Sequence, residues 1–524
     1  MSSMLVNEAR AGLSGGPSRF NPTASVLNFN QGNDRLPVLL RETGRLGPPT
    51  FLGKPNYPLI GAITDSVNIY DPNIRVPYSQ SWTFGIQREI SKDMAIEVRY
   101  IGTRNLRGWT DYNLNSVENN ILENGLLNEF KLAQANLRAN IAAGRGNTFA
   151  YTAAPGTSPL PIALAYFSGI PAAQASDPSR YTSNQFTSST FVNSLALNNP
   201  NVCCSTTTSF SGVMDNSATF RANALRAGLP ANFMLTNPNL RGGAIFTGNG
   251  GYTRYDGLQV ELRRRLSNGL LLQGNYQFAK AFSSQRVSFR APRINGLDTN
   301  TVKHALKVNW VYELPIGPGH ALLGNTGSVL NRIIGGWEFH GAGRVQSGQL
   351  FNFGSVRLVG MTMKDLQKFY KLRFDDAAKI VYILPQDIID NTIRAFSTSA
   401  TSSTGYGSRG APTGRYIAPA NGPDCIQVYS GQCAPQNVFV TGPMFTRIDL
   451  SIVKRVNITE RVNVELRGEF LNAFNNVNFF NPTGAAFTGP TSQTFMQVTQ
   501  AYTDSSNTQD PGGRLGQIVL RINW

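Results

Sequence analysis

Arg514-Leu515-Gly516-Gln517-Ile518-Val519-Leu520-Arg521-Ile522-Asn523-Trp524 ends the chain, and its reading decides the fold. Side chains alternate across a strand, so Ile518, Leu520, Ile522 and Trp524 share one face while Gln517, Arg521 and Asn523 share the other. Between Gln517 and Asn523, Val519 is the one apolar residue on the polar side. A strand of this kind, closed by a terminal aromatic, fits the last strand of a transmembrane β-barrel, whose outer face meets lipid and whose inner face meets water. Taken alone the segment also suits an edge strand of a soluble sandwich. The rest of the chain argues for the barrel.

The same alternation recurs upstream in pairs. Trp82, Phe84 and Ile86 oppose Thr83, Gly85, Gln87 and Glu89; after Ser91-Lys92-Asp93, Ile96, Val98 and Tyr100 return against Glu97 and Arg99. Leu258, Val260 and Leu262 oppose Gln259, Glu261 and Arg263; after Ser267-Asn268-Gly269, Leu270, Leu272, Tyr276 and Phe278 oppose Gln273, Asn275 and Gln277. Asn-Gly between two alternating runs is a strong hairpin signal, because both turn residues take positive φ. A third pair sets Leu306, Val308, Trp310 and Tyr312 against Lys307, Asn309 and Glu313. It crosses from Pro315 to Ile334 and resumes with Trp337, Phe339 and Val345 against Glu338, His340 and Arg344. In the fourth, Ile448, Leu450 and Ile452 oppose Arg447, Asp449 and Ser451, and beyond a turn near Asn457-Ile458-Thr459-Glu460 come Val462, Val464, Leu466 and Phe470.

Tight turns collect at one end of these strands, and long segments follow Gly102, Phe282, Gly348 and Phe474 at the other, which is the asymmetry of an outer-membrane barrel. Trp82, Tyr100, Trp310, Tyr312 and Trp337 read as lipid-facing aromatics, and Ile518, Leu520, Ile522 and Trp524 as the strand that closes and directs assembly. Cations on the apolar parity, Arg88, Arg264, Lys454 and Lys280, fall at strand ends, where they can snorkel. The expected fold is therefore all-β: an antiparallel transmembrane β-barrel, partial, with about nine to eleven strands of roughly 9 to 13 residues and a plausible open edge. Long extracellular loops containing short helices complete it. Residues 1–76 read as an extracellular loop or incomplete N-terminal barrel segment, and 77–524 as the barrel.

Composition agrees. The 524 residues are 41% hydrophobic and 15% charged, without an apolar run long enough for a membrane-spanning helix, so a bilayer location requires a closed barrel. A net charge of +16 raises nucleic acid as a partner, but Lys and Arg are scattered, with Arg263-Arg264-Arg265 the only tight run. No nucleic acid is expected; lipopolysaccharide or an anionic ligand is the expected counterpart. Met1 to Arg10 has neither the basic nor the apolar region of a secretory signal, so the chain is expected to be partial. Cys425 and Cys433 flank a short polar loop, a candidate disulfide worth roughly 2.5 kcal/mol in loop entropy. Cys203 and Cys204 are adjacent, and free, ring-paired and cross-linked states all remain open.

Within the loops, Asn124 caps an expected helix carrying Phe130, Ala133, Leu137 and Ile141 at helical spacing and stopping at Gly144. A second helix is expected from Pro385, with Ile389, Ile393 and Phe396 on one face, and Thr182 to Asn216 reads as flexible surface. Lys364, Lys368, Lys371 and Arg373 form a candidate ligand cluster in the loop from about Asn352 to Met444, which is expected to be separable from the barrel because its ends leave adjacent strands.

Catalytic patterns fail one by one. Gly405-Tyr406-Gly407-Ser408-Arg409-Gly410 fits a dinucleotide fingerprint in letters but follows a Ser/Thr run and precedes Ala411-Pro412. Ser451 and Lys454 fit S-x-x-K yet fall on opposite faces of a strand. Of His304, His320 and His340, none has a second ligand at metal spacing, and His340 suits a lumen hydrogen bond. Glu465 and Glu469 alternate with Asn463 and Arg467, a ladder of paired charges and not an acid–base couple. No enzyme activity, cofactor or metal is expected.

Pro77-Tyr78-Ser79-Gln80-Ser81-Trp82, Tyr100-Ile101-Gly102-Thr103-Arg104, Gly335-Gly336-Trp337 through Gln346-Ser347-Gly348-Gln349, and Ile458-Thr459-Glu460-Arg461 with Arg467-Gly468-Glu469-Phe470-Leu471-Asn472-Ala473-Phe474-Asn475 occur in order. This set resembles the C-terminal barrel of Oar-like TonB-dependent outer-membrane receptors, from about Pro77 to Trp524, with Trp524 where that family usually has Phe. The resemblance implies a 22-stranded barrel preceded by a signal, often a small β-sandwich, a TonB box and a plug. It also implies the bacterial outer membrane, the barrel-assembly machinery as partner, TonB as a partner only through the missing plug segment, and an unknown ligand held by the outer loops for energised uptake. The alternatives are a passive pore, a surface-binding barrel without a plug, and a truncated product without function.

Overall fold

Period-two patterning produces a wall of ten strands in one antiparallel path. They are β1 (Leu5–Ser14), β2 (Tyr78–Ser91), β3 (Met94–Asn113), β4 (Gly243–Ser267), β5 (Leu270–Gln285), β6 (His304–Glu313), β7 (Trp337–Gln346), β8 (Phe445–Asn457), β9 (Asn463–Leu471) and β10 (Leu515–Asn523). The structure is a computed structural model and describes residues 5–15, 63–198, 209–317, 322–324, 327–422, 425–459, 462–482, 490–492, 494–501 and 512–524. Cys203, Cys204, His320, Glu460 and Arg461 lie outside the described residues. Each strand pairs with its neighbours along the path, and no pairing joins β1 to β10 among the described residues. Ser66–Tyr70 adds alongside the start of β4 in parallel, and Ile294–Leu297 adds to β5. Four strands are longer than the expected roughly 9 to 13 residues: β2 has 14, β5 has 16, β3 has 20 and β4 has 25, the last two because they continue past the apolar region.

Register keeps the apolar face in one piece. One row of directly opposed residues reads Ile86, Val98, Val260, Tyr276, Leu306 and Val345; a lower one reads Leu270, Tyr312, Phe339, Ile452, Gly468 and Ile518. A slip of one residue would turn every member of a strand to the opposite face. Large apolar side chains on this face stand in the open, with Ile518 82% and Trp524 92% exposed, a pattern that water penalises and hydrocarbon favours. The upper limit of the apolar region is visible too. Above the row Phe84, Tyr100, Leu258 and Phe278 comes Gly102, Asp256 and Lys280, where Tyr100 donates from its hydroxyl to Asp256 Oδ1 at 2.6 Å and Arg104 lies 5.0 Å over the Trp82 ring. Asp256, Arg104 and Arg254 join the charges on this parity, beyond the stretch in which apolar residues alternate.

Three of the four connections at one rim are short: Lys92-Asp93, Asn268-Gly269 and residues 458–462. Asn268 and Gly269 take φ of 49° and 77°, the mirror-image turn that suits the twist of paired strands. The fourth, residues 314–336, carries the Ser328–Ile334 helix. At the opposite rim residues 114–242, 286–303, 347–444 and 472–514 connect the strands.

Two tryptophans on the apolar face are seated over glycines of the adjacent strand. Trp82 opposes Gly102 and Trp310 opposes Gly341, and a Cβ at either glycine would fall inside the indole ring. The indole supplies the side-chain contact that glycine lacks, so each pair fixes register. Gly341→Val is predicted to expel Trp310 and to lower stability by about 1–3 kcal/mol. In urea unfolding, the loss should shrink in the double variant with Trp310→Ala; additive losses would show that the pair is not coupled.

Candidate functional site

Both clusters of buried apolar side chains lie in the long-loop segments and not in the wall. The first occupies residues 114–242 and is largely helical. Its central helix, Leu126–Ala142, follows the expected period: Leu126, Phe130, Ala133 and Leu137 are buried, Asn124 Oδ1 accepts from the Leu126 amide at 3.0 Å, and Gly144 takes φ of 71°. Phe130, Phe149, Phe167, Phe186, Phe191 and Phe210 meet mostly edge to face, for example Phe130 and Phe210 at 5.5 Å and 79°. For the described residues 182–198 and 209–216 this corrects the reading of Thr182 to Asn216 as flexible surface, since Phe186, Phe191 and Phe210 anchor those parts of the polar run. Two asparagines one turn apart do what repeating structure does elsewhere. Asn136 donates to the carbonyls of Phe149 and Ser158 at 3.1 and 2.8 Å, and Asn140 to those of Thr148 and Ala150 at 2.9 and 3.0 Å.

On the same helix Glu129 is buried, and its two oxygens accept from the amides of Ile162 and Ala163 at 2.7 and 2.6 Å. Those amides open the Pro161–Ser168 helix, so Glu129 caps it from another element. Burial pushes the Glu129 carboxyl up to about 7, against the two amide donations that favour its charged form.

The second cluster is built from residues 351–440 with Phe495, Met496 and Val498. Its helix Gln386–Phe396 starts after Pro385 and buries Ile388, Ile389 and Ile393. Thr362 and Asp365 form a capping box on the Met363–Phe369 helix. The basic cluster is here, but only part of it is open. Lys364 and Lys371 are exposed, Lys368 approaches Asp365 at 3.9 Å, and Arg373 lies 4.8 Å over Tyr382 and donates to Gln386 at 2.7 Å. Gly405 to Gly410 is a turn against the end of the Gln386–Phe396 helix, the Gly407 amide donating to the Ser397 carbonyl.

Cys425 and Cys433 are bonded, and the loop they close is the joint between the two modules. Ile426, Val428 and Tyr429 are buried in the aromatic core of the first module, and the Tyr429 hydroxyl donates to the Glu118 carbonyl at 3.2 Å. Thr398 adds a 2.7 Å hydrogen bond to Asn198. The loop from Asn352 to Met444 thus shares a core with its neighbour, and deleting it would strip Tyr429 and Val428 from that core. A cleft of about 440 Å³ opens beside the joint, lined by Asn198, Phe353, Phe396, Asn421 and Gln427 among others.

Below the modules, the polar face of the wall is a lattice of charge pairs. Arg455 reaches Glu338 and, at 2.9 Å, Glu465; Arg467 reaches Glu465 at 2.8 Å and Glu469 at 3.2 Å; His340 shares a 2.7 Å hydrogen bond with Glu338. Ser451 belongs to this face, while Lys454 is on the other, over the Trp337 ring at 5.4 Å and donating to the Gly335 carbonyl. Near the long-loop rim a cavity of about 530 Å³ lies against Thr103, Asn105, Thr253, Tyr255 and Ser283. Trp82, Tyr100, Trp310, Tyr312 and Trp337 share the apolar face with Ile518, Leu520 and Ile522 through the register.

An antiparallel wall with one apolar face and one charge-paired face is the outer membrane β-barrel class. The family model described as "Outer membrane beta barrel domain" matches residues 3–517, and the chain belongs to that family; its place is the outer membrane. No curated protein matches the sequence. Among solved structures it is similar to the outer membrane transporter YddB from Escherichia coli, at 6% identity and a TM-score of 0.30, over 88% of this chain and 34% of that one. It is also similar to the FrpB iron transporter from Neisseria meningitidis, at 8% identity and a TM-score of 0.26, over 88% of this chain and 33% of that one. For the P. aeruginosa FpvA complexes with heterologous pyoverdines the identity is 8% and the TM-score 0.24, over 77% of this chain and 24% of that one. The chain spans about a third or less of the length of these structures.

Glu129 gives the first module a pH dependence of known sign. With a folded value of about 7 against an ordinary 4.5, the folded chain holds more protons than the unfolded chain between those values. Its contribution is therefore fullest below about pH 4.5 and is lost as pH rises through about 7, by up to about 1.4 kcal/mol per pH unit. The thermal midpoint of the helical circular dichroism signal should fall between about pH 5 and pH 8, and Glu129→Gln should flatten that slope. An equal slope in both proteins would assign it elsewhere.

Proposed function

We propose that this chain forms part of an outer-membrane receptor whose long-loop modules capture a ligand outside the cell for TonB-energised uptake. The apolar face meets lipid, with Trp82, Tyr100, Trp310, Tyr312 and Trp337 as its aromatics, and the polar face lines the lumen. Ile518, Leu520, Ile522 and Trp524 present the assembly machinery with the closing strand, and exposed cations, Lys364 and Lys371 among them, meet lipopolysaccharide phosphates or an anionic ligand. The observation that carries the reading is the pair of modules welded by the Cys425–Cys433 loop: a passive pore needs no two-core structure above its rim, whereas ligand capture needs a rigid, shaped surface there. Plug, TonB box and signal belong to this proposal as parts of the complete receptor.

In the native host, formaldehyde cross-linking of the surface-displayed gene product should yield an adduct with TonB. A protein correctly displayed on the surface that gives no such adduct would leave the passive or surface-binding barrel as the function.

A further inference from the structure

Cations on the polar face of the wall are matched to carboxylates almost everywhere. Arg99 meets Glu97, Arg263 meets Glu261, Arg455 meets Glu338 and Glu465, and Arg467 meets Glu465 and Glu469. One row departs from this. Register sets Lys307 of β6 opposite Arg344 of β7, and Arg344 opposite Arg447 of β8. Three cations thus stand on three successive strands, about 4.8 Å apart from strand to strand. Arg447 is itself paired, its Nε donating to Asp449 Oδ1 at 3.1 Å, and Asp449 Oδ1 also accepts from the Asn472 amide at 2.7 Å, so this single carboxylate stands against a row of three cations. None of the ion pairs among the described residues involves Lys307 or Arg344. Arg344 instead donates to Gln346 at 2.8 Å and lies 5.0 Å over the Phe445 ring.

Like charges directly opposed across strands destabilise a sheet, so this row costs stability unless something offsets it. A cavity of about 330 Å³ opens directly against the three cations, with Asn309, Phe445 and Asp449 on its walls. We propose that this row is a lumenal binding site for a phosphate-bearing solute. Two guanidinium forks and an ammonium converge on one cavity, which suits a multiply charged group with several acceptor oxygens better than a single carboxylate. Asn309 supplies a neutral donor, and the Phe445 ring holds Arg344 in place. The site lies part-way down the wall from the cleft between the modules, where a solute passing along the lumen would meet it. The inference rests on the reading of the polar face as the lumen.

The test uses the whole chain refolded in non-ionic detergent, with inorganic pyrophosphate as probe in isothermal calorimetry. Saturable binding is expected, weakened about tenfold or more by Lys307→Gln with Arg344→Gln and unchanged by Arg263→Gln. Independently of binding, Arg344→Gln should raise the thermal midpoint in phosphate-free buffer by relieving repulsion, and pyrophosphate should raise the wild-type midpoint but not that of the variant. No saturable binding by the wild type, or equal loss in Arg263→Gln, overturns the proposal. Asn309→Cys in lipid bilayers separates the two readings. If it resists a membrane-impermeant maleimide, the lumen reading itself fails; if it reacts while pyrophosphate does not bind, only the anion site fails.

Discussion

Everything in this molecule depends on the hydrogen-bonded register of the wall. In hydrocarbon an unpaired amide or carbonyl costs several kcal/mol, so strands persist there only as a continuous ladder, and each residue's face is then set by its position in that ladder. Rows that run from Ile86 to Val345 and from Leu270 to Ile518 stay apolar because ten strands hold a common register. Tryptophans seated over Gly102 and Gly341 reinforce it from the apolar side, and the Arg455–Glu465–Arg467–Glu469 lattice does so from the polar side. β1 and β10 end the path with free edges among the described residues, and a bilayer requires those edges to be paired.

The wall and the loop modules are stabilised by opposite means. The wall gains from placing apolar side chains outward, where Ile518 and Trp524 stand free, and it buries few of them. Above the rim the chain packs as a water-soluble protein does, with two apolar cores, a helix cap from Thr362, and buried polar groups satisfied one by one. The cores of these modules close without any side chain from the apolar face of the wall. The disulfide loop joins them by placing Tyr429 in the neighbouring core.

Strand periodicity was legible because lipid and water demand strict alternation, and every hairpin from Trp82 to Leu471 follows from it. The helices at Leu126 and Gln386 were legible for the analogous reason of a 3.6-residue repeat. Less could be read where structure rests on single side chains. Nothing in the period of Phe186, Phe191 and Phe210 marks them as one core, and nothing local shows that Asn136, Asn140 or Glu129 bonds to backbone far along the chain. An i, i+4 pair of asparagines on the apolar side of an amphipathic helix was the available signal. The disulfide was legible from spacing, but its role as a joint was not, because Tyr429 and Glu118 are brought together only by the fold. The row Lys307, Arg344 and Arg447 needed the register of three strands to become visible.

The central claim is that one face of the wall meets lipid and the other meets water, and it is tested most directly in mid-strand, at Val260 and its neighbour Gln259. Nitroxide labels placed singly at the two positions in a lipid bilayer report whether each is reached by oxygen, which concentrates in hydrocarbon, or by a water-soluble nickel chelate. The account predicts oxygen access at residue 260, chelate access at residue 259, and the same alternation along the strand. Equal access at both positions, or the reverse assignment, would contradict it.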